Sequence, residues 1–153
     1  MLVFSEYQTD TIDLALDFYG YEDCPKNYEF GPSFRDNFVL HFITKGKGVF
    51  HINKNEIHLE AGDLFLLPKN MVTYYQADAE DPWSYYWIGI SGTKVSDFMR
   101  FSTLHAKGFL KKNEVDTERI GLFMEQLVHK AEASKMTSHY QLHLLSQIYE
   151  LLF

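Results

Sequence analysis

The sequence has a single cysteine, Cys24, so no intramolecular disulfide can form and a cysteine-built zinc site is excluded. Basic residues are the minority: 14 Lys and Arg stand against 21 Asp and Glu, a net charge of −7. A domain that grips a polyanion normally carries the opposite balance, so these 153 residues are not the part of a protein that would touch nucleic acid. No run approaches the roughly 18 apolar residues of a membrane span. Residues 1–6 have neither the basic n-region nor the apolar h-region of a signal peptide. Together these absences lead us to expect a cytoplasmic protein with no membrane partner. Proline is scarce at 4 residues, and no repeat, low-complexity tract or Pro/Ser-rich linker interrupts the chain. What is plentiful is apolar and aromatic: 46% and 16%, with 13 Phe and 10 Tyr, enough for one domain to build a core without staples.

The chain changes character near residue 92. Before it, short apolar runs alternate with turn residues. Phe38 to Ile43 is followed by Thr44-Lys45-Gly46-Lys47-Gly48, Val49 to Ile52 by Asn53-Lys54-Asn55, and Glu56 to Leu59 by Glu60-Ala61-Gly62-Asp63. Leu64 to Leu67 ends at Pro68-Lys69-Asn70, and Val72 to Gln76 and Tyr85 to Ile90 flank the acidic loop 78–82. Asn tolerates the left-handed backbone of hairpin tips, and many short strands at this spacing predict a sandwich or barrel. After residue 92 the apolar period becomes helical. Ser91 or Thr93 caps a helix carrying Val95, Phe98 and Met99. Asp116 or Thr117 caps a second, whose Ile120, Phe123, Met124, Leu127, Val128 and Ala131 share one face. Ser138 with Gln141 forms a capping box for a third, striped by Leu144, Leu145, Ile148, Leu151 and Leu152. The stripe reaches Phe153 with no Gly or Pro terminator, so more chain is expected to follow. Each stripe fits packing onto the barrel or a dimer seam, and strict heptads are absent.

Three blocks carry a resemblance. They are Gly31-Pro32-Ser33-Phe34-Arg35-Asp36-Asn37-Phe38-Val39-Leu40-His41-Phe42-Ile43-Thr44-Lys45-Gly46-Lys47-Gly48, Leu59-Glu60-Ala61-Gly62-Asp63-Leu64-Phe65-Leu66-Leu67-Pro68, and Tyr75-Gln76-Ala77-Asp78 with Pro82-Trp83-Ser84-Tyr85-Tyr86-Trp87-Ile88. In order and spacing they resemble the sugar-sensing domain of AraC-type regulators, in particular those of raffinose, melibiose and multiple-sugar operons of Gram-positive bacteria. The resemblance implies a mainly β fold with C-terminal α: a cupin-like double-stranded β-helix (jelly-roll) barrel followed by about three helices. It implies an N-terminal arm and ligand-binding barrel over 1–92 and a helical dimerisation segment over 93–153. A helix-turn-helix DNA-binding domain would lie beyond this chain. The partners so implied are a small-molecule sugar effector, a second copy in a homodimer, and DNA through that further domain.

Metal-dependent cupins hold their ion with three His and a Glu. The matching positions here fall near Ser33, Arg35, Val39 and Thr73, and a guanidinium stays protonated and cannot ligate. We therefore expect no cofactor, no metal and no catalysis. If 33, 35 and 39 face inward, strand parity puts Asn37 and His41 inward as well, with Phe38, Leu40 and Phe42 packed behind. An inward Arg and His suggest a wet cavity, since polar groups left unsatisfied in a core are costly. Trp83, Tyr85 and Trp87 share one face of the last strand, and Thr73 and Tyr75 one face of the strand before it. In the family, a Tyr after the Pro turn and two positions of the last strand contact the sugar; they match Tyr75, Tyr85 and Trp87. The expected ligand contacts are thus Arg35, His41, Tyr75, Tyr85 and Trp87, and the expected dimer residues Ile120, Phe123, Leu127, Leu144, Leu145, Ile148 and Leu151. Other readings stay open: an ion pair of Arg35 with Asp36, Asp63 or Asp78, a hydrogen-bonded core His41, and a Trp83 that only closes the barrel. For the first 30 residues an arm that folds over the ligand competes with an ordinary barrel edge. For the whole, a cupin enzyme or a ligand-free oligomerisation module are the alternatives.

Overall fold

The computed structural model describes residues 2–6, 15–100 and 102–133. Ten strands and three helices follow in the order β1 (Leu2–Glu6), β2 (Ala15–Asp23), β3 (Glu29–Ser33), β4 (Phe38–Lys45), β5 (Lys47–Ile52), β6 (Asn55–Glu60), β7 (Leu64–Leu67), β8 (Thr73–Ala77), β9 (Ser84–Ser91), α1 (Thr93–Arg100), α2 (Thr103–Lys107), β10 (Phe109–Leu110) and α3 (Thr117–Ala133). The strands form two antiparallel sheets. One runs β1-β2-β9-β4-β7-β10 and the other β3-β8-β5-β6. From β2 to β9 the chain crosses between the sheets at every connection except the β5–β6 hairpin, which gives the cupin-like jelly-roll barrel.

Two cores result, one on each face of the larger sheet. Between the sheets lie Val39, Ile43, Phe50, Phe65, Leu67, Tyr75, Trp83 and Tyr85. On the outer face Leu16, Tyr19, Phe38, Leu40, Leu64, Leu66, Tyr86, Ile88 and Ile90 meet the helices. The same alternation that sends Val39 and His41 inward sends Phe38 and Leu40 outward, and Tyr85 and Trp87 oppose Tyr86 and Ile88. Both faces are covered, so β4, β7 and β9 are apolar almost continuously.

The turns follow from local chemistry. Asn53 and Lys54 both have positive φ, at 51° and 65°, between the paired Ile52 and Asn55, the backbone of a two-residue primed hairpin turn. Gly46 joins β4 to β5 at φ 74°, and a Cβ there would sit 2.3 Å from the Pro82 carbonyl oxygen. A backbone oxygen cannot rotate aside as a side chain can. Gly46→Ala should therefore destabilise the fold by about 2 kcal/mol or more, from left-handed strain plus the clash. Thermal unfolding measures this, and an unchanged melting temperature would contradict the turn.

Among the helices, α1 buries Val95 and Met99. Ser102 caps α2, accepting from the Leu104 and His105 amides, and Gly108 ends it at φ 85°. The Asp116 carboxylate accepts from the Arg119 amide at 3.4 Å at the start of α3. Helix α3 then lays Met124, Leu127, Val128 and Ala131, each at most 2% exposed, on the larger sheet. Two tyrosines of the sheet fasten it: Tyr19 donates to Glu132 Oε2 at 2.9 Å, and the Tyr86 hydroxyl lies 3.1 Å from His129 Nε2. This changes the expectation for a dimer seam. Leu127 has no exposed surface and packs within its own chain, so a partner cannot reach it, and Ile120 and Phe123 are partly buried against the same core. The third striped helix, with Leu144, Leu145, Ile148 and Leu151, lies outside the described residues.

Candidate functional site

One mouth of the barrel opens into a cavity of about 460 Å³, lined by Phe18 and Glu22 from β2, Phe30 from β3, Val39 and His41 from β4, Leu67 from β7, Tyr75 from β8, and Tyr85 and Trp87 from β9, together with Tyr28 and Arg35 from the loops. Volumes of roughly 300–1,000 Å³ with apolar walls and a few placed polar groups suit a small molecule. All five residues expected from the sequence meet here: Arg35, His41, Tyr75, Tyr85 and Trp87.

His41 is 2% exposed and sits flat on Phe65, with ring centroids 4.3 Å apart and planes 9° apart. Tyr85 stands edge-on to it at 4.9 Å and Tyr75 at 5.3 Å. Burial, and secondarily the Arg35 charge, push its pKa down to about 3, with the nearby Val39 backbone offsetting this slightly. The imidazole is therefore neutral, and its Nδ1 is buried with no hydrogen-bond partner of good geometry.

Arg35 lies in the loop between β3 and β4. Its guanidinium carbon sits 5.2 Å from the Phe18 ring centre and 5.4 Å from that of Phe30. These rings hold it by cation–π attraction. Gly89, opposite Phe18 on β9, makes room for that ring, since a Cβ there would lie 2.3 Å from Phe18 Cζ. Among the described residues no carboxylate forms an ion pair with Arg35, and its Nε is buried without a partner. A cation held on rings instead of on a carboxylate keeps its donors for a guest.

Tyr75 and Tyr85 are 5% and 2% exposed. Their rings wall the cavity, with Tyr85 edge-on to Tyr75 at 6.0 Å. Burial raises the pKa of both phenols, so they stay protonated. They supply ring surface first and hydroxyls second. Trp87 is half-exposed, edge-on to Tyr85 at 5.7 Å, and presents a ring to the opening. Trp83 behaves differently from its strand partners. It is fully buried and stacks on Phe65 at 5.3 Å, so it closes the barrel floor and does not line the cavity. Cys24 is buried, and its thiol pKa is pushed up to about 12, which leaves it unreactive at neutral pH.

The wall residues not anticipated are Phe18, Glu22, Tyr28 and Phe30. They come from a stretch that read as an arm or an edge. The inward set Phe18, Gly20, Glu22 alternates with outward Tyr19 and Tyr21, a period-two signal carried by aromatic and acidic residues rather than aliphatic ones. Burial raises the Glu22 carboxyl pKa. Among the described residues no three His, Cys, Asp or Glu side chains converge as metal ligands.

Comparison with known proteins agrees with this geometry. Over residues 15–152 the chain matches the model of the AraC-like ligand binding domain. It is 39% identical over 150 residues to the Msm operon regulatory protein of Streptococcus mutans, covering 98% of this chain and 53% of that protein. It is 42% identical over 98 residues to the raffinose operon transcriptional regulatory protein of Pediococcus pentosaceus, covering 62% of this chain and 35% of that one. The chain thus spans about half or less of the length of these relatives. Among solved structures, YhaK from Escherichia coli shares the fold at TM-score 0.52 and 14% identity, over 61% of this chain and 46% of that one. A barrel cavity open at one mouth, a helical layer on the outer face of the larger sheet, and a family match that spans both lead to one conclusion: the chain belongs to the AraC-like ligand binding domain family.

Proposed function

We propose that this chain is the effector-binding and dimerisation part of a transcription regulator that senses a sugar and controls carbohydrate-utilisation genes, and that it performs no chemistry. The cavity carries the reading. A wall of stacked rings around two unpartnered polar atoms, Arg35 Nε and His41 Nδ1, suits a ligand with apolar C–H faces and a rim of hydroxyls. The names of the relatives, regulators of multiple-sugar and raffinose operons, support the same ligand class. The acidic balance of the chain fits DNA binding through a separate domain. A homodimer, formed through surface other than Leu127, and a cytoplasmic location complete the proposal.

An enzyme reading finds less support. The cavity offers one neutral imidazole and one carboxylate, Glu22, too few to hold a metal, and the nearest thiol is held protonated. A thermal-shift screen against mono-, di- and trisaccharides tests the sensor reading. A sugar at 100 times its Kd stabilises by about 2.7 kcal/mol, or several degrees at roughly 2–4 °C per kcal/mol. Trp87→Ala should abolish that shift while the chain remains folded and dimeric, and an unchanged affinity in this variant would sink the assignment.

A further inference from the structure

A long side chain on a loop makes a weak ligand contact unless something fixes it beforehand, because ordering it on binding costs entropy. Arg35 is such a residue, between β3 and β4. Its main chain is tied by the Asn70 amide, which donates to the Arg35 carbonyl at 2.7 Å. Its guanidinium rests on Phe18 and Phe30. Phe30 is itself fixed: it pairs with Tyr75 across β3 and β8, and the two rings stack at 5.3 Å. The support of Phe18 reaches outside the cavity.

In a regular strand, residues two apart share a face. Leu16 nevertheless packs on the outer core and Phe18 on the inner one. The cause is a register shift: Leu16 pairs with Ile90 and Phe18 with Gly89, which makes Asp17 an extra residue in β2. Such a bulge re-aims the side chain that follows, and here it delivers Phe18 into the barrel. Gly89 leaves β9 bare beneath that ring, where a Cβ would lie 2.3, 2.5 and 2.6 Å from three of its carbons. The extra residue has a second use. Asn37 Nδ2 donates to Asp17 Oδ2 at 3.4 Å, which ties the Arg35 loop to the bulge two residues further on. The bulge thus supplies both the ring under Arg35 and the clasp on its loop. Neither Asp17 nor Gly89 lines the cavity. We infer that Asp17 and Gly89 are positioning residues for ligand recognition, which act through Arg35 by fixing its loop and the ring beneath it. This rests on the sensor reading and adds two residues that set affinity from behind the cavity wall.

Two measurements test this, one of them without a ligand. In the unaltered chain the NMR signal of the Arg35 Nε–H should lie upfield of that of a free arginine, because two rings shield it. In Gly89→Ala the added Cβ pushes the Phe18 ring aside, and the signal should return toward the free position. Asp17→Ala should move it the same way, whereas Asp17→Asn, which keeps an acceptor oxygen, should hold it near its original place. A free-arginine signal in the unaltered chain, or one that neither Gly89→Ala nor Asp17→Ala moves, would overturn the inference. Calorimetric titration with galactose, melibiose and raffinose reads the consequence. Affinity for those that bind should fall about tenfold in Gly89→Ala and about threefold in Asp17→Ala. In an Arg35→Ala background neither substitution should lower it further, since the group they act through is gone. A full additional loss there would show a general structural role and would equally overturn the inference. Should Gly89→Ala not fold, Phe18→Leu, which removes the ring and keeps apolar bulk, replaces it in both measurements. Binding of none of the three sugars by the unaltered chain would overturn the sugar reading, and the Arg35 signal would still decide whether Asp17 and Gly89 hold that side chain.

Discussion

Phe65→Ala should melt roughly 10 °C below the unaltered chain and lose its response to ligand. Phe65 is fully buried on β7, directly across from His41 of β4. Its ring is the hub of the inner core: His41 at 4.3 Å, Phe50 at 5.0 Å, and Tyr75 and Trp83 each at 5.3 Å. Truncating a buried phenylalanine costs about 3–5 kcal/mol, because the transfer term is lost and a cavity remains. At roughly 2–4 °C per kcal/mol for a chain of this size, the drop is about 10 °C. The ring is also the shelf on which His41 lies, so the imidazole loses its fixed orientation and the ligand loses a placed donor or acceptor. Phe65→Leu keeps most of the volume and should cost less in stability, yet it still removes the flat shelf. Melting curves with and without sugar separate the two effects. A loss below about 1 kcal/mol in Phe65→Ala would mean that Trp83 and Phe50 close over the gap and that the hub assignment is wrong.

The sequence made the second half of the barrel legible because β4 to β9 are bounded by Gly, Pro and Asn turns. Once the inner parity of β4 was assigned through the resemblance, His41 and its neighbours were sorted to the correct faces. The third strand of the wall was hidden by its chemistry. β2 reads Ala-Leu-Asp-Phe-Tyr-Gly-Tyr-Glu-Asp, with acidic residues at three of its nine positions and a register shift between Leu16 and Phe18. Alternation is hard to see there because its inward residues are a ring, a glycine and a carboxylate, a set chosen for a guest and not for a core. Arg35 was legible as an inward polar residue but not as an unpaired one, since its ring contacts depend on Phe18 and Phe30, which pairing brings from other strands. Helix α2 and β10 were missed because five- and two-residue elements carry no period. The stripe of α3 was plain, but periodicity cannot say what covers an apolar face. Only the outer core shows that Leu127 faces the barrel.

Lowering the pH from 7 to 5 should weaken the fold by about 2 kcal/mol through His41 alone. Its pKa is 6.5 as a free side chain and about 3 in the folded chain, so between these values the unfolded state binds the extra proton and the folded state does not. Stability from this group is complete above pH 6.5 and declines as the pH falls, by about 1.4 kcal/mol per unit, until pH 3. Other shifted groups act elsewhere. Asp17 and Glu22, raised by burial, favour the folded state when protonated and oppose the loss near the carboxylate range. Asp23, held low chiefly by its hydrogen bond from Ser84, begins to cost stability only as the pH falls into that range. Urea unfolding of the unaltered chain and of His41→Phe at pH 7 and pH 5 isolates the term. Phenylalanine keeps the stack on Phe65 but cannot titrate, so most of the 2 kcal/mol difference should vanish in the variant. Equal pH dependence in the two chains would refute a buried neutral imidazole. Ligand affinity should behave differently from stability. The folded chain keeps His41 neutral throughout this range, so a sugar bonded to Nδ1 meets the same imidazole at pH 5 as at pH 7. The contribution of His41 to sugar affinity should stay flat while the stability falls.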